Sequence, residues 1–317
     1  MSRIVRVSTI GTQRANPGKT NEESLENVIS YLDTVIGKAL CDKPDLIVLH
    51  ENCDIPSFGV PKDRLDFCDF RKDTVAEHIR CICREHSVNI CYGSFRDGAD
   101  GWYRNSAIFV DRNGKTVEIY NKNHLVMEEF TKYHIKYGKE PVLAEMDFGK
   151  VGAAICYDLQ FDELREKYMK LHPELIVFPS LFHGGFLKQY WAFSNRCYFV
   201  SSLGIGGREC EVINPLGEVV AKSSSYFSHL TADINLDYCI AHLDYNGDRL
   251  VRLKAKYGDE VKLEAPSGLG RVLITSYSDK VSALEMAMEF EVELIDDLFE
   301  RNLKSRHFPG NMECERI

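Results

Sequence analysis

The sequence predicts an α/β protein made of two related halves around a sheet core. Short apolar runs with strand character alternate with amphipathic helical stretches, two before Lys122 and two after Cys156. Residues 151–155 form a continuous apolar run, as in a strand whose sheet is covered on both faces. A chain of 317 residues, 44% of them hydrophobic, can bury a large core. No exact repeat relates the halves. Residues 1–236 carry no linker and read as the main domain, with 237–317 as a C-terminal extension of strands and a helix.

Taken in order, residues 3–10 read as a strand and 11–20 as a loop. Asn21 is read as the cap of a first helix, with Glu22 and Glu23 suited to its positive N-terminus. Leu25, Val28, Ile29, Leu32, Val35 and Ile36 recur at helical spacing and supply the face laid on a sheet; Pro44 stops the helix. Residues 46–49 are an apolar strand that delivers His50 and Glu51 at its C-terminal end. Residues 55–71 read as irregular, 74–86 as a second amphipathic helix, and 88–95 and 102–111 as strands. Asp111-Arg112-Asn113-Gly114 turns the chain into a strand over 116–120, followed by Lys122.

After Cys156, Asp158 is read as the cap of a helix that begins near Phe161 and runs through Tyr168. A strand over 175–178, a loop holding Gly184-Gly185, a helix over 189–196 and a strand over 198–203 follow. A hairpin around Asn214-Pro215-Leu216-Gly217 and a strand over 230–234 close the series. In the extension, 250–263 alternates enough for strands, 271–275 is a short strand and 282–299 reads as one long helix. Its stripe of Leu284, Met288, Val292, Ile295 and Phe299 is assigned to packing on the body or on a partner subunit.

Composition narrows the function classes. The net charge of -9 argues against a general nucleic-acid or membrane-surface binder. No apolar run approaches the ~20 residues of a membrane span, and the N-terminal residues lack a signal-peptide core. The eleven cysteines are scattered without a CxxC pair, which suits reduced thiols in a cytoplasmic compartment. Cys81 and Cys83 fall in a helical stretch that points them apart. No metal or cofactor is expected.

Cys156 ends an apolar strand where a polar, helix-starting segment begins. At such an elbow, backbone N–H groups lower a thiol's pKa and stabilise an oxyanion. On this stretch alone the plainer reading stands ahead, that Cys156 is one small buried hydrophobe among many. Glu51 and Lys122 change the balance, because each also sits at or just past a strand's C-terminal end, the edge where open α/β sheets bind ligands. A carboxylate can take the thiol proton and return it to a leaving amine, while an ammonium stabilises first the thiolate and then the oxyanion. Taken singly, Glu51 also reads as a capping or surface acid and Lys122 as a loop lysine.

The sequence resembles the nitrilase, or carbon–nitrogen hydrolase, superfamily. The resemblance lies in Asp45-Leu-Ile-Val-Leu-His-Glu51, in Tyr120-Asn-Lys122-Asn-His-Leu125 and in Gly149-Lys-Val-Gly-Ala-Ala-Ile-Cys156-Tyr-Asp-Leu-Gln-Phe-Asp-Glu163. It extends through Leu175-Ile-Val-Phe-Pro-Ser180 and Ile213-Asn-Pro-Leu-Gly217, and so covers residues 3–235. The resemblance implies a four-layer αββα sandwich and a Glu–Lys–Cys triad. Glu51 would be the general base, Lys122 the oxyanion lysine and Cys156 the nucleophile, with the backbone N–H of Tyr157 completing the oxyanion hole. It also implies a second glutamate after the lysine, for which Glu129 is preferred and Glu128 is the alternative. The sequence departs from the family pattern at His50, where a Pro is usual, at Phe161-Asp162-Glu163, and at Trp191-Ala-Phe-Ser-Asn195.

Tyr157-Asp158 after the cysteine resembles the amidase and carbamoylase branches, where nitrilases carry Trp-Glu. The function expected is hydrolysis of an amide through a cysteine thioester, with an N-carbamoyl hydrolase or a nitrilase as the alternatives within the superfamily. An inactive relative serving as a binding or scaffold protein is the alternative from another class. The expected partners are a small amide or carbamoyl substrate and further copies of the chain, as a homodimer or larger homo-oligomer, with no nucleic acid and no membrane.

Overall fold

The structure is a computed structural model that describes residues 2–224, 226–266 and 268–313. The chain forms two compact units, Val5–Ile234 and a second made of Met1–Ile4 with Asn235–Ile317.

The larger unit opens with β1 (Ile4–Ile10), α1 (Asn21–Leu40), β2 (Leu46–Val48), α2 (Pro61–Arg71), α3 (Thr74–His86), β3 (Asn89–Asp97), β4 (Tyr103–Val110), β5 (Thr116–Asn121) and α4 (Met127–Tyr133). It continues with β6 (Ala144–Met146), β7 (Gly149–Ala153), a 3-10 turn over Cys156–Gln160, α5 (Asp162–Leu171), β8 (Leu175–Ser180), α6 (Leu187–Asn195), β9 (Tyr198–Leu203), β10 (Glu211–Ile213), β11 (Val219–Lys222) and β12 (His229–Asn235).

Two six-stranded sheets result, in the orders β12-β1-β2-β3-β4-β5 and β11-β10-β9-β8-β7-β6. In each, three parallel strands run into an antiparallel pair: β1-β2-β3 into β4-β5, and β7-β8-β9 into β10-β11. The sheets face one another. The Thr9 hydroxyl donates to the Ser201 carbonyl and the Ser202 hydroxyl to the Ile10 carbonyl, both at 2.7 Å. Val28, Leu32 and Ile36 of α1, with Val75 and Ile79 of α3, share one buried cluster with Ile47 and Ile90 of the first sheet. On the second sheet, the Tyr168 hydroxyl of α5 donates to the Ala153 carbonyl at 2.6 Å, and Trp191 of α6 donates to Leu159 at 3.0 Å. The architecture is therefore the αββα sandwich.

Local differences from the sequence reading have physical causes. Thr20, rather than Asn21, caps α1, its side chain accepting from the Glu23 N–H at 3.2 Å. Residues 61–71 are helical, not irregular. The inward positions of α2 are Arg64, Phe67, Cys68 and Arg71, a helical spacing in which two of four members are charged, so no apolar stripe shows. Asp158 does not cap α5. It lies inside the 3-10 turn and binds backbone before it, while Phe161 holds the N-cap position.

The smaller unit carries β13 (Tyr238–His242), α7 (Gly247–Tyr257), β14 (Val261–Glu264), β15 (Arg271–Ser276), α8 (Ala283–Glu289) and α9 (Ile295–Arg306). Its sheet has the order β13-β15-β14. Most of the segment read as strands is helix α7, which buries Leu250 and Leu253. The long helix is two helices, because Glu291 adopts a left-handed φ of 53° and the Val292 N–H turns back to the Ala287 carbonyl at 2.9 Å. The break re-aims the stripe. Ala283, Met286, Ala287, Val292 and Ile295 are buried, while Leu284, Met288 and Phe299 are exposed.

Candidate active site

Glu51 lies in the tight turn that follows β2. The turn is held against β3, where the Leu49 N–H donates to the Cys91 carbonyl at 2.8 Å and the Cys53 N–H to the Gly93 carbonyl at 3.0 Å. Gly93 is required for this approach, since a Cβ there would stand 2.5 Å from both the Glu51 Cα and the His50 carbonyl oxygen. The neighbouring His50 is fully buried and hydrogen-bonded to the Tyr31 hydroxyl at 2.7 Å. Burial pulls its pKa down to about 4, so the imidazole is neutral at physiological pH.

Lys122 follows β5, its N–H bound to the Asn105 carbonyl at 2.8 Å and its carbonyl to the Gly138 N–H at 2.7 Å. Its ammonium is buried between two carboxylates, 3.1 Å from Glu51 Oε1 and 2.8 Å from Glu129 Oε2. Glu129 stands in the first turn of α4, where the same Oε2 accepts the Val126 N–H at 2.8 Å. The Asn105 amide of β4 spans the two acids, with Nδ2 donating to Glu51 Oε1 at 2.7 Å and to Glu129 Oε1 at 2.8 Å. These two acceptors fix the amide's orientation, because its oxygen would be repelled by both. Glu51 Oε2 is met by the Leu181 N–H, just past β8 of the facing sheet, at 2.9 Å.

Cys156 opens the 3-10 turn after β7 with φ at 50°, left-handed backbone that costs a non-glycine residue about 1–2 kcal/mol. The buried Asp158 carboxylate holds this elbow. It accepts from the Ile155 N–H at 2.9 Å, the Tyr120 hydroxyl at 2.7 Å and the His124 N–H at 2.8 Å, tying the cysteine turn to the segment that carries Lys122. The Cys156 thiol lies close enough to the Glu51 carboxylate, the Lys122 ammonium and the Leu181 N–H for each to act on its charge. Glu51, Lys122, Glu129 and Cys156 therefore converge. Glu128 does not join them; it is exposed and pairs with Lys132 at 2.6 Å. The Tyr157 ring is exposed and packs edge-on against Phe161.

The charges of the site are mutually set. Burial pushes the Glu51 carboxyl upward, but the Lys122 charge and hydrogen bonds from Asn105, Lys122 and Leu181 outweigh it and hold its pKa below the ordinary value. Burial lowers the Lys122 ammonium, and Glu51, Glu129 and Cys156 more than reverse this, so its pKa is raised. The Cys156 thiol is not acid-shifted as its elbow position suggested. Burial and then the Glu51 charge push its pKa up, against a smaller opposing pull from Lys122. The resting site thus holds a thiol, a carboxylate and an ammonium.

Asn105 was not singled out in the sequence. Its one visible signal is an amide near the start of a strand whose later residues, Ala107 to Val110, are all apolar. Among the described residues no group of three or more His, Cys, Asp or Glu is arranged to hold a metal ion, and no helix is long and apolar enough to cross a membrane.

Residues 11–242 match the carbon–nitrogen hydrolase family. The nitrilase and fragile histidine triad fusion protein NitFhit of Caenorhabditis elegans is 28% identical over 252 residues, covering 69% of this chain and 56% of that protein. The deaminated glutathione amidase of Dictyostelium discoideum is 23% identical over 251 residues, covering 69% of this chain and 86% of that protein. The C. elegans NitFhit crystal structure superposes with a TM-score of 0.65 at 22% identity, over 84% of this chain and 69% of that one. An amidase variant from Nesterenkonia sp. AN1 in complex with acrylamide gives 0.64 at 15% identity, over 80% and 97%. With the family match spanning most of the larger unit and the same fold in these structures, the chain belongs to the carbon–nitrogen hydrolase family of the nitrilase superfamily.

Proposed function

We propose that this site hydrolyses a carboxamide by way of a thioester on Cys156. The observation that carries the reading is the buried Lys122 ammonium bridging Glu51 and Glu129, with the Glu51 carboxylate beside the thiol. A lysine whose pKa is raised cannot serve as the base, which leaves the carboxylate. Glu51 would take the thiol proton as Sγ attacks the amide carbon. The oxyanion so formed would be held by Lys122 and by the Tyr157 N–H, one of the first amides of a helical turn and without an intrahelical acceptor. On collapse the C–N bond breaks, Glu51 returns its proton to the nitrogen and ammonia leaves. Water then adds to the thioester, giving up a proton to a carboxylate, and the C–S bond breaks to release the acid and restore the thiol. One amide and one water are consumed, and one acid and one ammonia are formed.

Glu129 would keep Lys122 charged and aimed, and Asn105 would lock the two acids in register. The amidases among the relatives, and Tyr157-Asp158 after the cysteine, support an amide over a nitrile as substrate. The test is ammonia release from a panel of aliphatic and dicarboxylic acid amides by wild type and by Cys156→Ala. Release by wild type alone is the expected result. Equal release by both proteins would remove Cys156 from the mechanism.

A further inference from the structure

His50 is fully buried beside Glu51 and takes no part in the hydrolysis proposed above. Its two ring nitrogens have different partners. Nδ1 lies 3.0 Å from the Glu51 carbonyl oxygen, and Nε2 lies 2.7 Å from the Tyr31 hydroxyl. A carbonyl only accepts, so Nδ1 carries the hydrogen. The imidazole is neutral, so Nε2 has none and accepts from Tyr31. With its hydrogen spent there, the Tyr31 oxygen accepts from the Thr12 hydroxyl at 2.6 Å. The bonds all run one way, from Thr12 in the loop after β1, through Tyr31 of α1 and the imidazole, to the backbone of Glu51. Arg14 and Glu51 are the charged groups that act on the ring.

The ring has little room to leave this position. A Cβ on Gly204, just past β9, would stand 2.7 Å from both His50 Nδ1 and Leu181 Cδ2. Leu181 is the residue whose N–H meets Glu51 Oε2. Gly93 of β3 packs as closely against the Glu51 Cα and the His50 carbonyl. The next residue, Asn52, adopts a left-handed φ of 53° in this tight turn. A proline at position 50, usual in the family, would restrict the turn through its ring. Histidine has no such restraint and supplies hydrogen bonds in its place.

We infer that His50 is a positioning residue for the general base: its Nδ1–H fixes the Glu51 carbonyl, and with it the direction in which the Glu51 side chain leaves the backbone toward the thiol. The inference rests on Glu51 as the base in the amidase reading above. His50 exchanges no proton with the substrate and acts only through Glu51.

Two substitutions separate the two nitrogens. His50→Asn places an amide where Nδ1 stands and keeps a donor for the Glu51 carbonyl. His50→Gln reaches the place of Nε2, keeps an acceptor for Tyr31 and loses that donor. Each gives up one hydrogen bond and ring volume, so a merely structural histidine predicts equal damage from the two. The positioning role predicts that kcat for the fastest amide of the panel falls less than about fivefold in His50→Asn and at least about fiftyfold in His50→Gln, with KM within about threefold of wild type in both. Alkylation of Cys156 by iodoacetamide, followed by peptide mass spectrometry, draws on the base without turnover and should slow at least about tenfold in His50→Gln alone. Long-range proton–nitrogen spectra of wild type, with the His50 signals assigned by their shift in Tyr31→Phe, should show hydrogen on Nδ1 and none on Nε2. That measurement needs no substitution at position 50. Equal losses of kcat and equal alkylation rates in the two variants, or hydrogen on Nε2, overturn the role and leave the amidase reading standing. No ammonia from wild type, with alkylation still separating His50→Asn from His50→Gln, supports the role and overturns the amidase reading.

Discussion

Lys122 touches two carboxylates at once, and this contact decides what its replacement does. Arginine keeps the charge but presents a longer, planar fork where a compact donor fits between Glu51 and Glu129. Lys122→Arg is therefore expected to lose most activity, on the scale of about 2.7–4 kcal/mol for a lost oxyanion donor; steady-state kinetics within threefold of wild type would contradict this. The two adjacent acids should separate sharply. Glu129→Gln removes a charge that meets Lys122 and Asn105 and should lower kcat strongly, whereas Glu128→Gln removes half of an exposed pair worth about 0–1 kcal/mol and should be near neutral. The depressed Glu51 pKa fixes the sign of an acid effect. Its ionised form contributes stability that is present above the unfolded carboxyl value of about 4.3 and is lost as pH falls through the lower folded value. Glu51→Gln should thus flatten the fall of melting temperature expected of wild type below about pH 4, as thermal melts across that range would show. Three of the converging side chains were legible because each ends a strand in a recognisable motif. Asn105 was not, since a single amide in a strand carries no pattern, and the raised thiol pKa depends on burial and on a carboxylate 105 positions away, Glu51 against Cys156, which no local sequence encodes.

Elements were legible where one face is uniformly apolar. Helices α1 and α3 have such faces, as do the continuous apolar runs of β2 and β8. Helix α2 has an inward face that is half arginine, and α7 and α8 bury only short stretches, so their periodicity was masked or misread. On that arginine-bearing face Arg64 Nε is buried without a hydrogen-bond partner, while its guanidinium lies over the Tyr133 and Phe95 rings. Close approach of β3 to the Glu51 turn makes a prediction at this scale. Gly93→Ala places a methyl 2.5 Å from backbone atoms that cannot swing aside, and should cost about 1–3 kcal/mol in stability by overpacking, read as a lowered midpoint in urea unfolding. An unchanged midpoint would mean that the turn is looser than its hydrogen bonds to β3 imply.

At the scale of the larger unit, the site exists because two sheets face each other. Glu51, Asn105 and Lys122 come from the first sheet and its turns, while Cys156 and the Leu181 N–H come from the second. Asp158 joins the two sets through Tyr120 and His124. The alternation of strands and helices in the chain announced two related halves, but their face-to-face assembly entered only through the family resemblance, because periodicity says which face of an element is buried and not against what. The central claim, that Cys156 carries the acyl group, is tested most directly by acid-quenching wild type during turnover of butyramide or glutaramate and mapping the adduct by peptide mass spectrometry. The account predicts an acyl mass increment on the peptide containing Cys156 and on no other cysteine peptide, absent from Cys156→Ala. An increment on a different cysteine, or turnover by Cys156→Ala within about tenfold of wild type, a difference of only ~1.4 kcal/mol in barrier, would contradict it.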